Sequence, residues 1–181
     1  MPSWLGSFKR HKANNHRREV EENSFQEREG SMIIGGGFTL SARIDKLFDL
    51  LLKPETMMTC LPGAESVKLL NETAYECVVK QKVGPFSVRV KSVNRLTKVE
   101  KPTHLEIEGE GEDVTKLGHF KQKGVVDLRE ISPGNVEITY KVDVSIVGKL
   151  AMFGDRIMRA KAKQVEEEFT KALQERLENG V

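Results

Sequence analysis

Between residues 65 and 146 the chain is almost continuous alternation of apolar and polar side chains. An apolar residue at every second position gives a strand one dry face and one wet face. Residues 65–70 form a short strand. Residues 73–83 put Tyr75, Cys77, Val79, Gln81 and Val83 on one face, and Gly84-Pro85 turns the chain. Phe86, Val88 and Val90 then alternate with Ser87, Arg89 and Lys91, and the parity slips near Ser92-Val93, which points to a bulge. Residues 103–111 carry Leu105 and Ile107, and residues 119–130 carry Phe120, Gln122, Val126 and Leu128. Residues 136–146 are the clearest strand, with Val136, Ile138, Tyr140, Val142, Val144 and Ile146 facing one way. Six strands joined by short turns make an antiparallel meander.

Such a sheet needs a cover for its apolar face. Residues 149–178 supply it, since Leu150, Phe153, Ile157, Met158, Val165, Phe169, Leu173 and Leu177 recur at helical spacing. Before the meander, Met32–Leu40 reads as a strand interrupted by Gly35-Gly36-Gly37. Those glycines lack the spacing of a dinucleotide loop and the following Gly-Lys-Ser/Thr of a phosphate loop. Residues 43–53 place Ile44, Leu47, Phe48 and Leu51 on one helical stripe. Pro54 ends that helix and opens a second short one, which Pro62-Gly63 stops. The order is strand, two short helices, six strands, long helix. This is an α+β chain in which a curved seven-stranded antiparallel sheet wraps one long helix, with the first strand expected beside the last. One helix rarely fills such a trough, so an apolar ligand cavity is expected there.

Composition narrows the function. The chain has 181 residues, about one domain at roughly 150 residues each. Lys plus Arg total 29 against 27 for Asp plus Glu, a net charge of +2, which disfavours a dedicated nucleic-acid binder. No apolar run approaches the ~18 residues of a membrane-spanning helix. Two cysteines cannot build a secreted disulfide scaffold, and the first residues lack a secretory signal, so a cytoplasmic protein is expected. Residues 1–30 are too polar to bury a face and are expected to be a flexible tail preceding a domain over 31–181. Within that tail Trp4, Phe8, Lys9 and Arg10 form the candidate membrane contact, an aromatic tip beside a basic run.

No catalytic constellation stands out. His11, His16, His104 and His119 show neither the helical pairing nor the Cys-x-x-Cys spacing of a zinc site, and no metal or cofactor is expected. Cys60 and Cys77 read as small packed hydrophobes. Gln81 and Gln122 sit at apolar parity and need buried partners. Glu106, Glu108, Glu110 and Glu112 share one face, expected to be solvated and eased by cross-strand Lys121 and Lys123. Met57, Met58, Met152 and Met158 are expected at one end of the trough as adaptable apolar surface. No acidic, basic or histidine side chain falls on the dry face of the strands.

Several short stretches carry a family resemblance in order. They are Phe38-Thr39-Leu40, Cys60-Leu61-Pro62-Gly63-Ala64-Glu65, and Gly84-Pro85-Phe86 with Val88-Arg89-Val90-Lys91. Glu108-Gly109-Glu110-Gly111 and Val147-Gly148-Lys149-Leu150-Ala151-Met152-Phe153-Gly154 complete the set. Over residues 32–177 the chain resembles the CoxG family of carbon monoxide dehydrogenase subunits, within the START-like, polyketide-cyclase-like superfamily. The resemblance implies a helix-grip START-like fold, a lipophilic molecule between helix and sheet, and a non-catalytic accessory role. That role is recruitment or maturation of a molybdenum hydroxylase of the carbon monoxide dehydrogenase type at the membrane, and a quinone or lipid is a sensible cargo for it. Some members carry a C-terminal membrane extension. None follows Val181, so any contact with the inner face of the membrane is expected from the N-terminal tail.

Three readings follow. In the first, the chain is a carrier with Met57, Met58 and Leu61 as lid. Tyr75, Val79, Val88, Val90, Leu105, Ile107, Phe120, Val126 and Tyr140 form the walls, and Phe153, Ile157 and Met158 the helix side. In the second, it is a cyclase- or dehydratase-like enzyme, which requires acid/base groups in the cavity. In the third, it is an adaptor with a filled core.

Overall fold

The computed structural model describes residues 30–179. The expected tail up to residue 29, with Trp4, Phe8, Lys9 and Arg10, lies outside the described residues. Strand β1 (Gly30–Ser41) leads into helices α1 (Ile44–Leu51) and α2 (Pro54–Cys60). Strands β2 (Ala64–Leu69), β3 (Ala74–Val83), β4 (Phe86–Glu100), β5 (His104–Asp113), β6 (Gly118–Ser132) and β7 (Asn135–Gly148) follow. A 3-10 turn (Lys149–Phe153) then leads into α3 (Gly154–Glu178). The sheet order is β1-β7-β6-β5-β4-β3-β2, antiparallel throughout. The first strand pairs with the last along its whole length, from Gly30 opposite Ile146 to Ser41 opposite Asn135. This is the expected order of elements, the curved sheet and the helix-grip fold.

Two differences from the expected elements matter. The last helix opens with a 3-10 turn bracketed by Gly148 and Gly154, both at positive φ. No bulge lies at Ser92. Pairing of β4 with both neighbours runs unbroken through Ser92 and Asn94, and the register shift comes between Leu96 and Lys98. Ser92 and Asn94 are therefore inward-facing buried polar residues, at 8% and 4% exposure.

The concave face buries two separate apolar clusters. One joins Leu47 and Phe48 of α1, Cys60 of α2, Leu40, Leu105, Leu128, Val136 and Ile138 of the sheet, and Leu173 of α3. The other joins Val83, Val88, Val144, Ile146 and Leu150, with Phe120, Phe153 and Met158 packed on it. The α3 residues in the two clusters, Met158 and Leu173, stand about 22 Å apart along the helix at 1.5 Å per residue.

The helix is fastened along β1. The Arg159 guanidinium donates to the Ile33 carbonyl at 2.8 Å, and the Ser41 amide donates to Gln174 Oε1 at 3.1 Å. Phe38 and Phe169 meet edge to face at 6.4 Å. Arg176 donates to Thr59 Oγ1 at 3.1 Å, tying the helix end to α2. Leu173 is the one fully buried α3 residue among those described. Leu173→Ala should therefore lower the unfolding free energy by about 3 kcal/mol in urea titrations, whereas Met152→Ala, at 80% exposure, should change it by less than about 0.5.

Candidate functional site

The register orders the concave face into rows. One row runs Gly36, Tyr140, Val126, Leu105, and the next Ile34, Val142, Gly124, Ile107, Leu96. A third runs Met32, Val144, Gln122, Gly109, Asn94, Tyr75, and a fourth Ile146, Phe120, Gly111, Ser92, Cys77. The middle of this face is the candidate site. Tyr75, Val79, Val90, Leu96, Ile107, Val126, Tyr140 and Val142 all point inward yet are only half-buried. Their neighbours at either end are buried in the two clusters.

The sequence-predicted site residues fall into three groups. Tyr75, Val79, Val90, Ile107 and Tyr140 line the central trough, and Val126 lies at its border, packed on the cluster that contains Leu173. Val88 and Phe120 of the sheet, with Phe153 and Met158, belong to the cluster where α3 begins, and Leu105 is buried at 6% exposure in the other cluster. Met57, Met58 and Leu61 sit at the α1/α2 end, where Met58 is buried and Met57 and Leu61 are half-buried. Ile157 is 40% exposed on the first turn of α3. The expectation that Met57 and Met58 meet Met152 and Met158 is therefore corrected. The two helices α1 and α2 follow the end of β1 that pairs with the start of β7, while Met152 follows the other end of β7. A paired ribbon of 12 residues, about 40 Å long at 3.4 Å per residue, separates the two ends.

A polar row crosses the trough. Asn94 Nδ2 donates to Ser92 Oγ at 3.2 Å and to Cys77 Sγ at 3.4 Å, and Gln122 Nε2 donates to Asn94 Oδ1 at 3.1 Å. Gly109 makes room for it, because a Cβ there would stand 2.4 Å from Asn94 Oδ1 and 3.0 Å from Gln122 Nε2. Tyr75 stands opposite Asn94 at the end of the row. Gln81, also at apolar parity, donates to the Pro62 carbonyl and pins the loop after α2. Both glutamines thus have protein partners, as their burial requires.

One acid, Asp113, overturns the expectation that the dry face of the strands carries no charge, and a second, Glu166, enters the interior from the helix. Asp113 is fully buried at inward parity at the end of β5. Burial raises its pKa, but hydrogen bonds from the Thr115 hydroxyl and the Arg89, Thr115 and Leu117 amides outweigh it, and the carboxyl lies below its ordinary value. It is a turn-closing group. Glu166 comes from α3 and lies beside the Tyr140 phenol, whose pKa it helps to raise. Its Oε2 is shut from solvent, and a Cβ on Gly36 would fall 2.0 Å from it. A search of the strands alone for inward charge misses Glu166. Its spacing to Phe169 and Leu173, i+3 and i+7, already places it on the buried helical stripe.

Other groups fit bland roles. Cys60 and Cys77 are buried and free. The glutamate comb is on the outer face, with Glu108 bridged to Lys123 at 2.8 Å and a groove of about 600 Å³ between the charged rows. A recess of about 230 Å³ between the start of α2 and the β2–β3 turn reaches Tyr75 and Leu96. Among the described residues no cluster of His, Cys, Asp or Glu is placed to hold a metal. No described helix is long and apolar enough to cross a membrane.

Sheet, short helices and long helix together define a helix-grip, START-like fold. The sequence profile of CoxG, a family of carbon monoxide dehydrogenase subunits, matches residues 36–178, so the chain belongs to that family. No curated protein matches the sequence. Among solved structures, a conserved protein from Geobacillus kaustophilus superposes with a TM-score of 0.76 at 22% identity, covering 82% of this chain and 96% of that one. A START superfamily protein from Mycobacterium smegmatis gives 0.64 at 15% identity, covering 84% and 100%. The Zhui aromatase/cyclase from a Streptomyces species gives 0.60 at 11%, covering 83% and 95%. At these identities the structures speak for the fold alone. Family and fold support a ligand-binding accessory role in general.

The chain's two tyrosines both belong to the trough, which gives a spectroscopic handle. Burial pushes Tyr75 up to about 12. Burial, then the Glu166 carboxylate, holds Tyr140 well above the ordinary phenol value. Unfolded phenols ionise near ~10. Folding thus favours the protonated phenols, a contribution complete below about pH 10 and lost as pH rises through the folded values. Absorbance at phenolate wavelengths should stay flat through pH 10 in the folded chain. A phenolate step near 10 with the fold intact would place a tyrosine in solvent instead.

Proposed function

We propose that this chain is a non-catalytic carrier. It holds a lipophilic molecule of quinone or lipid type in the trough under α3 and serves a molybdenum hydroxylase of the carbon monoxide dehydrogenase type at the membrane. The observation that carries this reading is the half-buried middle of an otherwise closed concave face. Val79, Val90, Ile107 and Val126 point inward but are only half-buried. Apolar side chains left that way lose about 25 cal/mol for each Å² not removed from water, which a hydrophobic guest would recover. The polar row gives the guest an orientation. A carbonyl or hydroxyl on the cargo can bond Gln122 or the Tyr75 phenol, while its apolar part lies on the valines. Family membership supports the choice of partner enzyme.

The cyclase-like alternative rests on Tyr140 and Glu166, the one acid–phenol pair in the interior among the described residues. Glu166 Oε2 is closed over Gly36 away from solvent and has no hydrogen-bond partner among the described residues, so it faces no open space in which a substrate could reach it. That arrangement suits a helix clasp better than a general acid or base, which must reach the reacting group. The filled-core adaptor would need the central valines sealed.

The test is native mass spectrometry of freshly purified chain with organic extraction, followed by uptake of a lipophilic fluorescent probe. A bound isoprenoid or lipid at one per chain, and probe uptake by the emptied protein, are expected. Ile107→Trp, which fills the trough, should abolish uptake with the thermal transition retained, and Phe120→Ala should weaken it. A clean apo mass with no probe uptake would favour the filled-core adaptor.

A further inference from the structure

One end of the molecule presents apolar side chains to solvent on three neighbouring segments. Phe86, at the tip of the β3–β4 hairpin, is 51% exposed, and its ring lies 5.3 Å from that of Phe153 on the 3-10 turn. Met152 on the same turn is 80% exposed, and Ile157 on the first turn of α3 is 40% exposed. Val114, in the β5–β6 loop that the 3-10 turn bonds through Leu150 and Leu117, is 43% exposed. Single exposed apolar residues are ordinary, but a group of them rimmed by charge marks an interaction surface. Phe153 packs on the cluster of Val83, Val88 and Leu150, which closes this end of the trough.

The charge around this tip has one sign to spare. Lys82, Lys149 and Arg156 are exposed and form no ion pair among the described residues. The acids nearby are spent. Asp155 is bound to Arg159 at 2.7 Å, Glu112 to Lys116 at 2.6 Å, and Asp113 is buried. An apolar tip with surplus cations matches an anionic lipid surface, where the rings and methionine enter the interface and the cations meet headgroups. A second copy of the chain fits less well, because a two-fold contact would set the same unpaired cations against each other.

We propose that this tip, built from Phe86, Met152, Phe153 and Ile157 within a rim of Lys82, Lys149 and Arg156, docks the chain on anionic bilayers. It rests on the carrier reading in one respect, since it would hold the carrier at the bilayer that contains its lipophilic cargo. Flotation of the full chain with phosphatidylcholine vesicles, with and without phosphatidylglycerol, tests it. Wild type should float with anionic vesicles and much less with neutral ones. Lys149→Glu with Arg156→Glu, which disturbs no packing, should weaken binding at least about tenfold, each cation contributing about fivefold. Met152→Ser should also weaken it, while Trp4→Ser with Phe8→Ser should leave the dependence on the tip intact. Absence of wild-type binding, equal binding to neutral vesicles, indifference to the tip variants, or loss confined to the tail variant would overturn the proposal. Retention by an acidic protein without vesicle binding would do so too. Probe uptake in vesicle-free buffer should be unchanged in the tip variants, and its loss there would show trough damage and overturn the assignment. Wild type that floats by these rules but takes up no probe would sink the carrier reading and leave the docking surface standing.

Discussion

The fastening of α3 to the β1 edge decides how much of the concave face stays open. Arg159, Glu166, Phe169 and Gln174 all reach β1 or its β7 neighbour, from Ile33 at one end to Ser41 at the other. Gly36 lets the helix come close, since any side chain there would displace the Glu166 carboxylate and the Tyr140 hydroxyl. Half-buried inward positions remain beside it, at Tyr140 and Val142 of β7, Ile107 of β5, Val90 of β4 and Tyr75 and Val79 of β3.

Stability and binding are divided along the sheet. The two apolar clusters close its ends, one around α1, α2 and Leu173, the other around Leu150 and the β3–β4 hairpin. Between them lies the polar row from Cys77 to Gln122, hydrogen-bonded within itself. A satisfied buried network rigidifies what it crosses. The trough is therefore framed by firm ends and a fixed floor, a common arrangement for a preformed ligand site.

Much of this is legible in the sequence because strands with one dry face advertise their period. The six alternating stretches, the Pro54 boundary, the Pro62-Gly63 stop and the pairing of first strand with last all follow from local pattern and the need to cover one face. Three things do not follow. Ser92 and Asn94 look like a slip in parity, since alternation cannot distinguish a bulge from polar residues that find buried partners across the sheet. Grouping the four methionines ignores the direction of β1. Once β1 and β7 are antiparallel, α2 and Met152 must lie at opposite ends. Glu166 escapes because a charged residue inside an apolar helical stripe gains its meaning only from what faces it, here Tyr140 over Gly36.

On the carrier reading, the middle of the trough, rather than the outer face or the ends, receives an apolar guest. Methyl-labelled protein mixed with an unlabelled lipophilic probe tests this directly through intermolecular nuclear Overhauser effects. Contacts to the methyls of Val79, Val90, Ile107 and Val126, with none to the exposed Val99 of β4 or Ile131 of β6, are the result expected here. Contacts confined to exposed methyls, with those four silent, would contradict it.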